Sequence, residues 1–338
     1  METAVPSPFR FTSPVDPTAE GGRRTAVQRE LARAFGLSSA PAEFRLLSPA
    51  PALLDATWVA VRACLVTGRA PRTARELVAA GVARANRCAP CLHTHARTLR
   101  AAGHPALART VRTGGTPDDA AHAEPLAWGA ATATPGAALP AADHLPEYLA
   151  TALVCHFLNR LAGALLTGRV PRFGPPWRRP ARLPAGDLPG GAGATPPRTA
   201  LAALRAVAMD ADHPALTDAV RARVRTTVAE HGLRPPGGEP TSRHPAARSW
   251  LYDALTGLRG ADRPAAALAL LTALAPDQLA AADVEFWRST APVGISGDAD
   301  LLRLAAFGAH TAVDRVEARL APPPRARTLT GGPEQPHP

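Results

Sequence analysis

The sequence predicts an all-α protein on three observations. Ala, Leu and Arg, which favour helix, dominate its 338 residues. The period-2 alternation typical of a strand is not sustained anywhere along the chain. Apolar residues instead recur at helical spacing, as in the stripe formed by Leu53, Leu54, Trp58, Val61 and Leu65. We therefore expect amphipathic helices packed around a common core.

Seven helices are predicted before residue 168. The predicted ranges are 26–35, 52–67, 73–87, a helix that begins at the Cys88–Cys91 pair and ends at Gly103, 105–113, 118–131 and 147–167. Glycines follow the first two, at Gly36 and Gly68, as is usual after a helix C-terminus. Thr73 is a suitable N-cap for the third helix, with Glu76 three residues further on as in a capping box.

Pro and Gly dominate residues 169–198, which excludes helix over most of this segment and predicts a long linker or lid. Helical composition resumes at 199–209, 214–231, 246–258, 263–274, 278–289 and 298–320. The predicted organisation is an N-terminal arm (1–24), a helical domain (25–168), the linker (169–198), a second helical domain (199–321) and a disordered tail (322–338). Helices of similar length on both sides of the linker suggest an internal duplication with a degenerate second half.

The charge balance does not indicate a nucleic-acid partner. The 38 basic and 28 acidic residues give a formal net charge of +10, and every basic residue is Arg. Arginine without lysine is typical of GC-rich coding, and the arginines are scattered among acidic residues. A nucleic-acid-binding protein would concentrate them in a patch or a known module.

The sequence also predicts a cytoplasmic protein with no membrane span. Residues 1–17 carry four prolines and no apolar stretch of the kind found in a secretory signal. No run of apolar residues approaches the ~18 needed to cross a bilayer. Four cysteines in 338 residues do not form a disulfide framework.

The segment from Glu76 to His95 holds the candidate chemistry. Pro90 suits a first helical turn, so Cys91 is expected near a helix N-terminus, where free amides and the helix dipole stabilise a thiolate. His95 lies four residues after Cys91, only about 40° away around the helix. Cys88 can also approach Cys91, whereas His93 points away. Glu76, on the preceding helix, could orient His95 or balance its charge.

Three other interpretations of this pattern remain open. A bare C-x-x-C also occurs in zinc sites and in thioredoxin-like proteins. A thioredoxin-like site would follow a strand, but the preceding segment is predicted to be helical. Zinc would require Cys88, Cys91, His93 and His95 to converge, although the helix places the two histidines about 200° apart. Two buried core cysteines are the remaining interpretation.

Glu76, Cys88, Cys91 and His95, within the stretch ANRCAPCLHTHARTLRAAG, resemble the carboxymuconolactone decarboxylase-like superfamily, and within it the alkylhydroperoxidase (AhpD) type. The resemblance is most specific over residues 73–103 and extends more weakly over 25–168. The stretch CHFLNRLAGALL (155–166) also resembles a helix of long family members. Family members often carry an aromatic residue within or just after C-x-x-C, where this chain has Ala89 and Pro90.

The resemblance implies an all-α, AhpD-like helical bundle that works without metal or haem. It implies that Cys91 attacks the O–O bond of an organic hydroperoxide, that Cys88 resolves the sulfenic acid to a disulfide, and that His95 and Glu76 relay protons. A dithiol partner, either a lipoyl domain or a thioredoxin-like protein, would reduce the disulfide, and the protein would be a homo-oligomer. The alternatives are a general thiol–disulfide oxidoreductase and a non-catalytic zinc-binding protein.

Several other polar or reactive residues occupy apolar helices. His156, Asn159 and Arg160 share one helix face, where they predict either a buried hydrogen-bond network, which we favour, or a polar wall of a substrate pocket. Cys64 and Cys155 are isolated on apolar stripes and are expected to be small core residues.

Overall fold

The computed structural model describes residues 7–15, 22–134, 144–168, 195–210, 212–232 and 248–320. The predicted tail and residues 169–194 of the predicted linker lie outside the described residues, as do parts of the predicted N-terminal arm.

The all-α prediction is confirmed over these ranges. Eight α-helices precede residue 168: α1 (Arg23–Ala34), α2 (Ala42–Arg45), α3 (Pro51–Val61), α4 (Arg72–Ala85), α5 (Ala89–Ala101), α6 (Pro105–Arg112), α7 (Ala120–Ala131) and α8 (Leu145–Leu165). Six follow: α9 (Pro197–Ala208), α10 (Asp218–His231), α11 (Ser249–Ala254), α12 (Asp262–Leu274), α13 (Ala281–Thr290) and α14 (Asp298–Leu320). Each predicted helix has a counterpart, and the short α2 was not predicted.

Two shorter helical turns complete the described elements. A π-helical turn (Arg62–Val66) continues α3, within the single predicted helix 52–67. A 3-10 turn (Pro276–Gln278) precedes α13 and falls partly within the predicted helix 278–289.

The predicted capping box at the start of α4 is wrong. The helix begins at Arg72, and its N-cap is Pro71, which has extended backbone angles and forms no side-chain cap. The carbonyl of Pro71 accepts the hydrogen bond from the Arg75 N–H. Thr73 is therefore already inside the helix, and the carboxylate of Glu76 is free to bond to other partners.

α8 is the central helix of the fold. By its 21-residue length and a mean hydropathy of 1.2 it could cross a membrane, but 89% of its most apolar window is buried inside the protein. A core helix of a globular bundle has this composition when all of its faces are covered. Packing within the bundle therefore accounts for its apolar character.

Helices from both sides of the predicted linker cover α8. α4 and α5 pack against it from the first half of the chain, and α12 and α14 pack against it from the second. The larger of the two hydrophobic clusters in the described part of the chain includes Phe157 of α8 together with Leu53, Leu271 and Phe307. The N-terminal segment joins this core as well, because Phe9 forms an isolated β-bridge with Leu166 at the end of α8.

α4 and α7 approach each other to backbone contact. A Cβ atom on Gly81 of α4 would lie 2.1 Å from the Leu126 carbonyl oxygen, and one on Gly129 of α7 would lie 2.1 Å from that of Val78. Only glycine fits at such a crossing. Because α4 also carries Glu76 and leads directly into Cys88, this crossing fixes the position of the candidate site.

Gly81→Ala is expected to lower the free energy of unfolding by about 2–3 kcal/mol, because the new methyl group meets backbone that cannot yield without separating the helices. Gly163→Ala is the matched control, since its Cβ would lie 3.3 Å from side-chain atoms of Pro276 only. We expect Gly163→Ala to stay within about 1 kcal/mol of the parent chain, the tight contact being offset by better helix propensity. Urea unfolding followed by circular dichroism measures the free energy of unfolding of both variants. Equal values for the two would contradict the requirement for glycine at the α4–α7 crossing.

Candidate active site

The connection between α4 and α5 places the two cysteines. The Cys88 N–H donates to the Ala83 carbonyl (2.9 Å) and the Arg87 N–H donates to the Arg84 carbonyl (3.1 Å). These bonds form a Schellman motif in which Arg87 takes the left-handed position, with φ of 56°. Glycine is usual there, because a side chain raises the energy of this conformation by about 1–2 kcal/mol. Because the turn is tight, Cys88 is both the last residue of the Schellman motif that ends α4 and the N-cap of α5.

Cys88 and Cys91 form a disulfide, with their Cα atoms 5.3 Å apart. Both side chains are buried, at 2% exposure. Cys91 is the third residue of α5, and Pro90 lies in the first turn, as the sequence predicted. The first amides of a helix lack intrahelical partners and carry the positive end of its dipole. A negative charge on either sulfur would therefore be stabilised.

A buried hydrogen-bonded pair, Glu76 and His95, lies one turn further along α5. His95 Nδ1 lies 2.7 Å from Glu76 Oε2, and the Arg72 guanidinium donates to Glu76 Oε1 at 2.7 Å through Nε. Glu76 is 1% exposed and His95 is 6% exposed. The expected contact between Glu76 and His95 is thus present, and it joins α4 to α5. Since Nδ1–H donates to the carboxylate, Nε2 is the ring nitrogen left to exchange a proton.

Glu76 is held as a carboxylate. Burial raises its pKa, but the charge of Arg72 and the hydrogen bond and charge of His95 outweigh burial, so the pKa lies below its ordinary value. Sequence reasoning did not single out Arg72. The signal for it was the i, i+4 spacing of Arg72 and Glu76 on one helix.

A second carboxyl group, Glu43 of the unpredicted α2, lies near the same histidine. It is buried and hydrogen-bonds Thr94. Burial raises the pKa of Glu43, although His95 and Arg97 oppose that effect. No local pattern indicated this residue, because α2 reaches α5 only through the tertiary fold.

His93 lies apart from the Glu76–His95 pair. Burial, together with Arg97 and Arg112, lowers the pKa of His93 to about 4. The ring is therefore neutral around pH 7. Over the described ranges, no group of three or more His, Cys, Asp and Glu side chains is arranged to hold a metal ion.

A cavity of about 470 Å³ opens beside the disulfide. Its wall combines the α4–α5 connection, the C-terminal part of α8, the N-terminal segment and the second half of the chain. Its lining residues include Arg10, Arg87, Cys88, Pro90, Asn159, Arg160, Leu166, Ala273, Leu274 and Asp277. Of the two disulfide-bonded cysteines, Cys88 lines the cavity and Cys91 is not among its lining residues.

His156 belongs to a buried hydrogen-bond network. Its Nδ1 faces two obligate donors, Asn86 Nδ2 at 3.0 Å and Arg160 Nη1 at 3.2 Å, so this nitrogen accepts. The Thr132 hydroxyl donates to the Gly129 carbonyl, so His156 Nε2–H donates to Thr132 Oγ1 at 2.9 Å. Burial, reinforced by Arg160, places the pKa of His156 well below its ordinary value. The favoured network is thus confirmed for His156, while Asn159 and Arg160 also line the cavity.

The two remaining cysteines are free and buried, as predicted. Burial raises the pKa of Cys64 to about 12 and places that of Cys155 well above its ordinary value. Neither thiol is ionised near neutral pH, so neither has the character of a nucleophile.

Comparison with known proteins establishes the family of the chain. The model of the carboxymuconolactone decarboxylase family matches residues 51–143, which include the whole α4–α5 region. An alkyl hydroperoxide reductase of Mycobacterium tuberculosis is 33% identical over 332 residues, covering 90% of this chain and 92% of the relative. The chain belongs to the carboxymuconolactone decarboxylase family. Within it, the all-α fold and the reductase relative identify the AhpD-like branch. No solved structure matches the chain significantly.

The match to the relative spans both halves of the chain, whereas the family model matches only the first. The second half is therefore shared with this relative, and it also supplies part of the wall of the cavity beside Cys88.

Proposed function

We propose that this protein is a thiol peroxidase that reduces organic hydroperoxides by cycling Cys88 and Cys91 between dithiol and disulfide. The observation that supports this most directly is a C-x-x-C disulfide at the start of α5, one turn from a buried Glu76–His95 pair. The alkyl hydroperoxide reductase relative supports the same chemistry.

The proposed cycle begins with attack by the Cys91 thiolate on the terminal oxygen of the hydroperoxide. The S–O bond forms as the O–O bond breaks, the alkoxide leaves and takes a proton to become the alcohol, and Cys91 becomes a sulfenic acid. The Cys88 thiolate then attacks the Cys91 sulfur, the S–O bond breaks, and hydroxide leaves as water after taking a proton. The two electrons of the dithiol reduce the peroxide, and the disulfide is the oxidised product.

In this proposal His95 and Glu76 move the protons. His95 lies four residues after Cys91, so the two side chains share one face of α5. Glu76 fixes the other ring nitrogen, as the third group does in other nucleophile–base pairs. Arg72 holds Glu76 in its charged form.

The cycle requires a two-electron donor to regenerate the dithiol. We propose a dithiol partner, either a lipoyl domain or a thioredoxin-like protein, acting on a homo-oligomer in the cytoplasm. The division into an N-terminal arm (1–24), two helical domains (25–168 and 199–321) and a tail (322–338) forms part of the same proposal.

A single-turnover experiment tests the proposed function. The reduced full-length chain is mixed with substoichiometric cumene hydroperoxide, and one Cys88–Cys91 disulfide is expected for each molecule of cumyl alcohol formed. Peptide mapping and chromatography measure the two products. Fast reaction with low-molecular-weight disulfides and none with hydroperoxides would instead establish a general thiol–disulfide oxidoreductase.

A further inference from the structure

Arg160 is a buried cation on the wall of the cavity. Its side chain is 4% exposed, yet it lines the same cavity as Cys88. Nε donates to the Ala273 carbonyl at 3.0 Å, and Nη1 donates to the His156 carbonyl at 3.0 Å and contacts His156 Nδ1 at 3.2 Å. These bonds fix the guanidinium plane between α8 and α12. They leave Nη2 without a hydrogen-bond partner among the residues that the structure describes.

No carboxylate in the described part of the chain neutralises this guanidinium. Its Nε and Nη1 groups contact two backbone carbonyls and a neutral imidazole. Burial lowers the pKa of Arg160 to about 10, which still leaves it charged at pH 7. An uncompensated buried charge is destabilising, so a protein that retains one in a cavity wall gains from an anion that binds there.

The rest of the cavity suits an organic molecule that carries one anionic group. Pro90, Leu166 and Leu274 give it an apolar surface. Besides Arg160, the charged residues of the lining are Arg10, Arg87 and Asp277, so positive charges outnumber negative ones by three to one. A volume of about 470 Å³ falls within the ~300–1,000 Å³ of ordinary ligand pockets. The second half of the chain supplies both Leu274 and the Ala273 carbonyl that holds Arg160 in place.

We propose that this cavity binds the carboxylate of an acidic organic hydroperoxide, with Arg160 as its anion-binding residue and the second half of the chain as the wall that fixes Arg160. The inference rests on the proposed peroxidase function and names its substrate class. The apolar body of the substrate would fill the cavity, and its hydroperoxide would reach the Cys88–Cys91 sulfurs.

The first test needs no variant. The kcat/KM of the full-length chain is measured for linoleic acid hydroperoxide and for the methyl ester of the same molecule. These substrates differ only in the carboxylate, and the acid is expected to be at least about tenfold better, as for a buried charged hydrogen bond. Equal values for acid and ester would overturn the proposal while leaving the peroxidase function intact.

Arg160→Met removes the charge while retaining most of the apolar stem, and Arg160→Lys retains a charge. The preference for the acid is expected to vanish in Arg160→Met and to return in part in Arg160→Lys, with turnover of the methyl ester measured in each as the internal reference. A variant that changes KM for dihydrolipoate but not the acid-to-ester ratio would assign the anion site to the reductant and would overturn the proposal.

Binding without turnover separates this inference from the proposed function. Linoleate, which carries no peroxide, is titrated calorimetrically below its critical micelle concentration into the oxidised chain. Linoleate that binds the parent chain but not Arg160→Met would support the anion site even if no hydroperoxide were consumed. Absence of linoleate binding in a chain that consumes hydroperoxides would refute the anion site alone.

Discussion

Cys91→Ser is expected to reduce hydroperoxide consumption to the background level, a fall of about 10³-fold or more, because the proposed reaction begins on this sulfur. A serine hydroxyl has the size of the thiol but stays protonated at pH 7. The variant should keep its fold, since the substitution leaves the shape of this side chain in the first turn of α5 almost unchanged. Peroxide consumption by the reduced chain, followed with a ferric dye, measures the loss.

The two cysteines can be told apart by the intermediate that each variant accumulates. Cys88→Ser cannot form the disulfide, so a sulfenic acid should persist on Cys91 and be trapped there by dimedone. Cys88 lines the cavity and Cys91 is not among its lining residues. The experiment therefore also tests the reverse assignment, in which Cys88 is the nucleophile. Dimedone on Cys88 in the Cys91→Ser variant, with activity retained, would reverse the two roles.

Cys64→Ala is the matched control for both cysteine variants. Cys64 is a buried free thiol whose pKa is raised to about 12, so its loss removes a cysteine but no proposed nucleophile. Full peroxide consumption is expected in this variant. A loss as large as that of Cys91→Ser would indicate that the assay reports folding instead of chemistry.

The sequence predicted the local part of the site because helical periodicity determines it. Pro90 sets the start of α5, and the four-residue step from Cys91 to His95 then fixes their shared face. Glu76, on the preceding helix, was expected to orient His95 or balance its charge, and the structure shows that contact at 2.7 Å. These residues lie within twenty positions of one another, so few tertiary contacts had to be guessed.

The parts that could not be predicted depend on contacts between distant segments. Glu43 hydrogen-bonds Thr94, next to His95, from a four-residue helix that is too short to give a periodic signal. The Ala273 carbonyl holds Arg160 across 113 residues of chain, a distance over which one sequence carries no pairing information. The predicted capping box was wrong for a different reason, because α4 already begins at Arg72, one residue before Thr73, with Pro71 as its N-cap.

Glu76→Gln is expected to lower peroxidase activity by about 10²-fold, the lower range for a lost proton-transfer partner. Glutamine fills the same volume but carries no charge, so Arg72 loses its counter-ion and His95 loses the anion that fixes its tautomer. Glu76→Asp keeps the charge on a shorter stem and should recover part of the activity. Activity is measured with cumene hydroperoxide at a temperature where each variant is folded.

The same substitution has a separate effect on stability that changes with pH. The folded-state pKa of Glu76 lies below its unfolded value of about 4.3, so its ionisation stabilises the fold above about pH 4.3, and this contribution disappears as the pH falls through the folded pKa. The urea midpoint of the parent chain should therefore decline more steeply in acid than that of Glu76→Gln. Gly163→Ala, which alters no ionisable group, is the control and should leave the slope unchanged. A Glu76→Gln variant that reduced the acid dependence of the urea midpoint and yet kept full peroxidase activity would show that the carboxylate stabilises the fold only. The proton relay would then have to be assigned to other residues.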